Sequence, residues 1–214
     1  MQANELLPAI HCQLIYDNPS YFDKIIDNGS VYLGIKVVGK RFTVTCRGSL
    51  SPADWYHDAI SFLFTRHPIL GLVGNGFIDG VDDAFTQVCQ SLPSRHPGET
   101  YPLSIEVYGH SLGGAHATYL AGLFHNAGFI VKLVAFESPK CCGQPLLSLL
   151  EDCDVTCYRN GNDIVTDAPI DLVHPRALIV LNCPPVTGDI TPFKYHHMAL
   201  IVCGLTVYLF LQGN

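Results

Sequence analysis

Charged side chains are scarce in this sequence, and basic ones are the scarcer kind. Charged residues make up 14% of the 214 residues, and 12 lysines and arginines against 19 aspartates and glutamates give a formal net charge of −7. This balance disfavours nucleic acid or an anionic membrane as the main partner. Hydrophobic residues reach 48%, which excludes a disordered chain and leaves a globular one.

Long apolar runs are missing as well. The longest, MALIVCGLTVYLFL, covers residues 198–211 and is shorter than the roughly 20 residues of a membrane-spanning helix. We expect it to form a core strand or helix, and transient contact with a lipid surface stays open. The opening residues, MQANELLPAI, have no basic start and do not resemble a secretory signal. We therefore expect a cytoplasmic protein, with non-classical export or release by lysis left open.

Paired cysteine motifs are absent, although cysteine itself is common. The chain has nine cysteines, with Cys141 next to Cys142 and no Cys-x-x-Cys pair. A secreted disulfide scaffold is usually shorter and has an even count. A structural zinc site usually has two closely spaced ligand pairs. In this sequence Cys153 and Cys157, four residues apart, are the one pair of cysteines with a comparable spacing. We expect reduced thiols and no metal site.

The order of the elements predicts a single α/β domain over residues 1–214. Apolar strands alternate with helices through the middle of the chain, which is typical of a mainly parallel sheet with right-handed crossovers. The predicted strands are 103–109, 129–136, 154–160 and 177–183, and the predicted helices are 6–16, 51–64, 74–92, 112–128 and 144–153. Residues 31–49 predict a β-hairpin with its turn at 38–40.

The stretch Gly109-His110-Ser111-Leu112-Gly113 fits the pattern G-x-S-x-G. It follows a predicted strand and begins a predicted helix, as in a nucleophile elbow, where a strained turn lifts a serine hydroxyl above the sheet edge. Glycines on both sides remove Cβ atoms where strand and helix pack closely. The helix N-terminus points free N–H groups at the place where negative charge would develop. Ser111 is therefore a candidate nucleophile.

A serine nucleophile needs a histidine as base, and the histidine needs a carboxylate to orient it. In an elbow of this kind the carboxylate and then the histidine follow the serine along the chain. The candidate carboxylates are Asp163, Asp167 and Asp171, and the candidate histidines are His174, His196 and His197. Asp163 comes just past a predicted strand, and His174 precedes Pro175 in what reads as a loop. The residues alone favour Asp163 and His197, but they do not exclude the other candidate carboxylates and histidines.

A series of short motifs, in order along the chain, resembles the class 3 lipases, the fungal triacylglycerol lipase family within the α/β-hydrolases. The segment VYGHSLGGAHATYLA, residues 107–121, is similar to the family's Gly-His-Ser-Leu-Gly-Gly-Ala elbow. The other segments that resemble family motifs are FTVTCRGS at 42–49, DWYHD at 54–58, GNGF at 74–77, FESPKCCG at 136–143, RNGNDIVTDAP at 159–169 and YHH at 195–197. The series extends over about three quarters of the chain.

The resemblance implies an α/β-hydrolase fold, with a mainly parallel central sheet and helices on both faces. It makes Ser111 the nucleophile and selects Asp163 as the orienting acid. It also selects His197 over His196 as the general base.

The resemblance assigns the oxyanion hole to two residues, Ser49 through its N–H and hydroxyl and Leu112 through its N–H. The implied activity is hydrolysis of a carboxylic ester, from a lipid or a short-chain acyl ester, through an acyl-enzyme and without a cofactor. The alternative is a non-catalytic α/β-hydrolase-fold module that binds a lipid-like ligand or a protein.

The chain departs from the family pattern at four positions, Cys46, Asn75, Glu137 and Thr166. None of these removes a catalytic group, but the last two lie near the implied site and leave the substrate preference open. The segment at the position of the family's lid, residues 50–59, is short. A short lid suits a small soluble ester as well as a triglyceride.

Overall fold

The computed structural model describes residues 6–50, 64–92, 103–185, 187–188 and 193–212, with side chains to residue 207 in the last segment. Of the helix predicted at 51–64, all but Phe64 therefore lies outside the described residues. The same holds for the DWYHD motif and for the lid segment beyond Leu50.

One seven-stranded sheet organises the fold. Its strands are β1 Lys24–Asp27, β2 Tyr32–Val38, β3 Arg41–Arg47, β6 Ser104–His110, β7 Ile130–Phe136, β8 Asp154–Asn160 and β9 Leu178–Leu181, and a separate hairpin contains β4 Phe64–His67 and β5 Gly71–Gly74. The order across the large sheet is β1-β2-β3-β6-β7-β8-β9. The pairs from β1 to β3 are antiparallel and those from β3 to β9 are parallel. The predicted mainly parallel sheet is confirmed.

Helices cover both faces of this sheet, as predicted. The helices are α1 Leu6–Asp17, α2 Asn75–Ile78, α3 Val81–Ser91, α4 Leu112–Asn126, α5 Gln144–Leu149 and α6 Met198–Gln212. Successive strand residues point to opposite faces. Val107 and Leu133 accordingly join the core under α4, while Tyr108 and Val134 join a second core with α1 and α6. Burial on both faces explains why β7 reads as a nearly continuous apolar run.

Several predicted elements agree closely with the structure. Helix α1 begins and ends within one residue of the predicted range, and the hairpin of β2 and β3 turns at residues 39–40. Gly39 in that turn has a φ of +61°, a conformation that glycine adopts without steric cost. The apolar run near the C-terminus is helix α6 rather than a strand.

One prediction about the segment before β6 is wrong, and three short strands in it were not predicted. The single helix expected over 74–92 is two helices, α2 and α3, because Gly80 between them has a φ of +71° and interrupts the helical backbone. The four-residue strands β1, β4 and β5 were not predicted, since strands this short carry little alternation of apolar and polar residues.

All nine cysteines are free thiols, as predicted, and only Cys203 among them is exposed. Burial raises the pKa of most of them, for example that of Cys157 to about 12. None of the helices in the described part of the chain has both the length and the apolar character needed to span a bilayer.

Candidate active site

Ser111 lies at the sharp turn between strand β6 and helix α4. Its backbone has φ 58° and ψ −131°, a left-handed conformation that costs free energy in a residue with a side chain. A Cβ on Gly109 would lie 2.0 Å from the carbonyl oxygen of Gly113, and a Cβ on Gly113 would lie 2.3 Å from that of Cys46. Only glycine fits at these two positions, which explains the G-x-S-x-G pattern in physical terms.

A hydrogen-bonded chain of three buried side chains begins at this serine. His196 Nε2 lies 2.8 Å from Ser111 Oγ, and His196 Nδ1 lies 2.8 Å from Asp163 Oδ2. All three residues are buried: Ser111 and His196 are each 2% exposed, and Asp163 is 0% exposed. An Nδ1–H that donates to the carboxylate leaves Nε2 free to accept the serine hydroxyl.

The prediction that His197 takes this position is wrong, because the structure places His196 there. The two residues lie just before helix α6. The carbonyl of His197 accepts a hydrogen bond from the N–H of Leu200, which lies in the first turn of that helix. Adjacent residues entering a helix point in different directions, about 100° apart, so only one of the two rings can face Ser111. His197 is half-buried and lines the pocket beside the serine.

The structure brings Asp163 and none of its rivals to the histidine. Asp163 follows strand β8, and its carboxylate also accepts the N–H of Val165, at 3.1 Å. Asp167 is exposed and pairs with Arg159, at 3.3 Å, and Asp171 is exposed. Site residues of α/β folds lie at the carboxyl ends of parallel strands. The position of Asp163 just past a predicted strand was therefore the sequence feature that indicated its role.

The predicted oxyanion residues lie next to Ser111. Leu112 is the first residue of α4, so its N–H is among the helix N–H groups without an intrahelical partner. Ser49 follows strand β3 and lines the same pocket as Ser111, with a volume of about 320 Å³. The turn is held close to the serine: the N–H of Gly48 donates to Tyr16 Oη at 2.8 Å, and a Cβ on Gly48 would meet the carbonyl of His110 at 2.7 Å.

A second buried pair, not predicted from the sequence, lies beside the histidine. His110 Nε2 is 3.0 Å from Glu137 Oε2, and the same carboxylate oxygen is 3.8 Å from His196 Nδ1. The rings of His110 and His196 stack, with centroids 5.0 Å apart. Tyr16 Oη completes the chain, 3.0 Å from His110 Nδ1. The only sequence signal was Glu137, a charged residue at the end of an apolar strand and a departure from the family pattern.

The pKa shifts of this pair follow from its burial. Glu137 is 0% exposed, and burial together with the nearby charge of Asp163 raises its pKa well above the usual value. Burial, with His196 and His197 close by, lowers the pKa of His110. Within the described ranges, the group of side chains that could hold a metal ion is His110, Glu137 and His196, whose ligand atoms all lie within 4.8 Å of one another.

The parallel sheet, the strained serine between strand and helix, and the Ser–His–Asp chain define an α/β-hydrolase. The model of the family "Lipase (class 3)" matches residues 43–173, more than half of the chain. The protein therefore belongs to the class 3 lipase family, and it is a carboxylic-ester hydrolase. The family expected from the motifs is confirmed.

Solved lipases are similar in fold. They include the Rhizomucor miehei lipase propeptide complex, with 20% identity, 83% of this chain and 68% of that chain covered, and a TM-score of 0.62. The mono- and diacylglycerol lipase from Aspergillus oryzae has 21% identity, 84% and 77% coverage and a TM-score of 0.64. Lip2 lipase from Yarrowia lipolytica has 19% identity, with 83% of this chain and 71% of that chain covered, and a TM-score of 0.58. Among curated proteins, none matches this sequence significantly.

Proposed function

We propose that this protein hydrolyses an acyl ester of lipid or short-chain type through Ser111, His196 and Asp163. The observation that carries the proposal is the position of His196, whose ring nitrogens lie 2.8 Å from the serine hydroxyl and 2.8 Å from the carboxylate. In this arrangement a histidine can take a proton from serine while the carboxylate holds the ring in the required tautomer.

The first half of the reaction forms an acyl-enzyme. Ser111 Oγ attacks the ester carbonyl carbon while its proton passes to His196 Nε2. The N–H groups of Ser49 and Leu112 stabilise the oxyanion, and the loss of one such donor typically costs about 3–4 kcal/mol of barrier. As the C–O bond breaks, His196 returns the proton to the leaving oxygen, and the alcohol departs.

The second half of the reaction releases the acid. Water attacks the acyl group on Ser111, and His196 Nε2 takes a proton from that water. The tetrahedral intermediate collapses, the proton goes to Ser111 Oγ, and the carboxylic acid leaves. Asp163 stays ionised throughout and stabilises the imidazolium that forms in each half, so this chain's own residues supply every proton transfer.

The pocket beside Ser111 has room for a small acyl group. Its volume of about 320 Å³ lies at the lower end of the range for small-molecule sites. Leu50, Met198 and Ala199 contribute apolar lining, and Gln13 and Tyr16 contribute polar lining. The nine free cysteines support the cytoplasmic location proposed from the sequence, because thiols stay reduced there.

The first experiment is hydrolysis of p-nitrophenyl esters of increasing acyl length by the wild type and by Ser111→Ala. We expect turnover on the shorter esters, and we expect the substitution to abolish it together with labelling by a fluorophosphonate. Equal turnover by both proteins would refute Ser111 as the nucleophile. Neither turnover nor labelling of the wild type would instead favour the non-catalytic binding module.

A further inference from the structure

We propose that His110, Glu137 and His196 form a binding site for a zinc ion, and that zinc bound there inhibits the enzyme. The inhibition rests on the proposed function of His196, whereas zinc binding itself does not. Two imidazoles and one carboxylate are a ligand set that zinc takes in proteins. The cysteine spacing predicted no metal site, but the ligands of this proposed site are two histidines and a glutamate.

The distances within the group suit one small ion. Glu137 Oε2 lies 3.0 Å from His110 Nε2 and 3.8 Å from His196 Nδ1, and all three ligand atoms lie within 4.8 Å of one another. Ligand atoms at 2.0–2.2 Å from a tetrahedral zinc are roughly 3.3–3.6 Å apart. All three atoms reach coordinating distance when His196 Nδ1 leaves its 2.8 Å contact with Asp163 Oδ2 and the side chains move slightly.

The charge of the group also calls for a cation. Glu137 and Asp163 are both 0% exposed, and in the described part of the chain their ion pairs are with histidines and not with lysine or arginine. Glu137 Oε1 is buried and makes no hydrogen bond of standard geometry with the described residues, although the backbone N–H of Asn160 approaches the carboxylate and acts to lower its pKa. Two buried carboxylates without a lysine or arginine beside them are stabilised by a proton on one of them or by a bound cation, and zinc can take the place of a proton on Glu137.

The surroundings of His110 match those of a metal-bound histidine. Its Nδ1 lies 3.0 Å from Tyr16 Oη, and a partner on the second ring nitrogen is typical of histidine ligands because it fixes the ring. His110 and His196 both line the pocket that contains Ser111, which provides a path for the ion from solvent.

Zinc at this site removes the general base. Coordination uses the lone pair of His196 Nδ1, so the Nδ1–H that donates to Asp163 is lost and the single proton of the neutral ring sits on Nε2. An Nε2–H cannot accept the proton of Ser111, and attack on the ester stops. Glu137 binds as the carboxylate and releases any proton that it holds to solvent.

The test measures ester hydrolysis by the chelator-treated protein over a range of zinc concentrations. We expect wild type to be inhibited at micromolar zinc and restored by EDTA. Glu137→Gln and His110→Gln, each compared with its own activity without zinc, should need at least about tenfold more zinc for half-inhibition. Cys203→Ser, which removes the exposed thiol, should behave as wild type, and magnesium should not inhibit. Equal inhibition of all variants, or none of wild type, would overturn the proposal.

Equilibrium dialysis of zinc against Ser111→Ala separates the site from the activity. This variant keeps all three ligands, so we expect about one zinc per chain. The double variants Ser111→Ala/Glu137→Gln and Ser111→Ala/His110→Gln should lose most of that binding, with circular dichroism confirming that they fold. If wild type hydrolyses no ester but binds zinc in this way, the proposed function fails and the site stands. Binding that both double variants retain refutes the site.

Discussion

His196 Nε2 lies 2.8 Å from Ser111 Oγ, although the two residues are 85 positions apart in the chain. The neighbouring His197 lies at the side of the same pocket. This relationship gives two adjacent histidines different roles, and it can be tested with two substitutions of the same kind.

His196→Ala should lower kcat by at least about 10³-fold, because the loss of a triad member removes proton transfer in both halves of the reaction. His197→Ala should change kcat by less than about tenfold, because the ring within hydrogen-bond distance of Ser111 Oγ is that of His196. Steady-state kinetics on one p-nitrophenyl ester measures both. The opposite ranking would show that His197 is the base.

Asp163→Asn should lower kcat by about 10⁴-fold with little change in KM. An asparagine can donate to His196 Nδ1 and so favour the wrong tautomer, while its oxygen can still accept the N–H of Val165. Thermal unfolding serves as the control, and a stability close to wild type would assign the loss to chemistry. A kcat within tenfold of wild type would contradict the role of Asp163.

Gly113→Ala should destabilise the fold by about 1–3 kcal/mol, since its Cβ would lie 2.3 Å from the backbone oxygen of Cys46. Gly76→Ala is the matched control. A Cβ at Gly76 meets nothing within 4 Å. Alanine at this position in helix α2 should therefore raise the free energy of unfolding, by at most about 1 kcal/mol. Urea unfolding midpoints measure both changes, and similar midpoints for the two variants would argue against the packing of the elbow.

Stability should fall with acid partly because of His116 in helix α4. The ring is 2% exposed, and burial lowers its pKa from 6.5 to about 4. Between these pH values the unfolded chain binds a proton that the folded chain does not, so the contribution is complete above pH 6.5 and is lost as the pH falls towards 4. The loss from this group is about 3 kcal/mol.

His116→Gln should therefore flatten the dependence of the free energy of unfolding on pH between 6.5 and 4. Other histidines with lowered pKa values, His11, His110 and His174, contribute equally to both proteins and cancel in the comparison. Urea unfolding at several pH values supplies the slopes. Parallel curves would show that His116 does not contribute, whatever the difference in overall stability.

The sequence by itself determined the family, the parallel sheet and the elbow. These depend on local patterns, namely apolar runs in strands buried on both faces and glycines where a Cβ on Gly109 or Gly113 would collide with backbone. Asp163 was predictable from its place just past strand β8, because site residues of α/β folds lie at the carboxyl ends of strands. Local sequence could not place the break at Gly80, because the apolar spacing continues across it.

Only the tertiary structure decided which histidine meets Ser111 and that Glu137 and His110 lie beside it. The choice between His196 and His197 depends on the angle at which the chain enters α6, which packing against α1 and the sheet determines. The pairing of Glu137 with His110 depends on neighbouring strands ending at the same edge. Contacts between residues distant in the chain arise from packing, and no periodicity within a short segment encodes them.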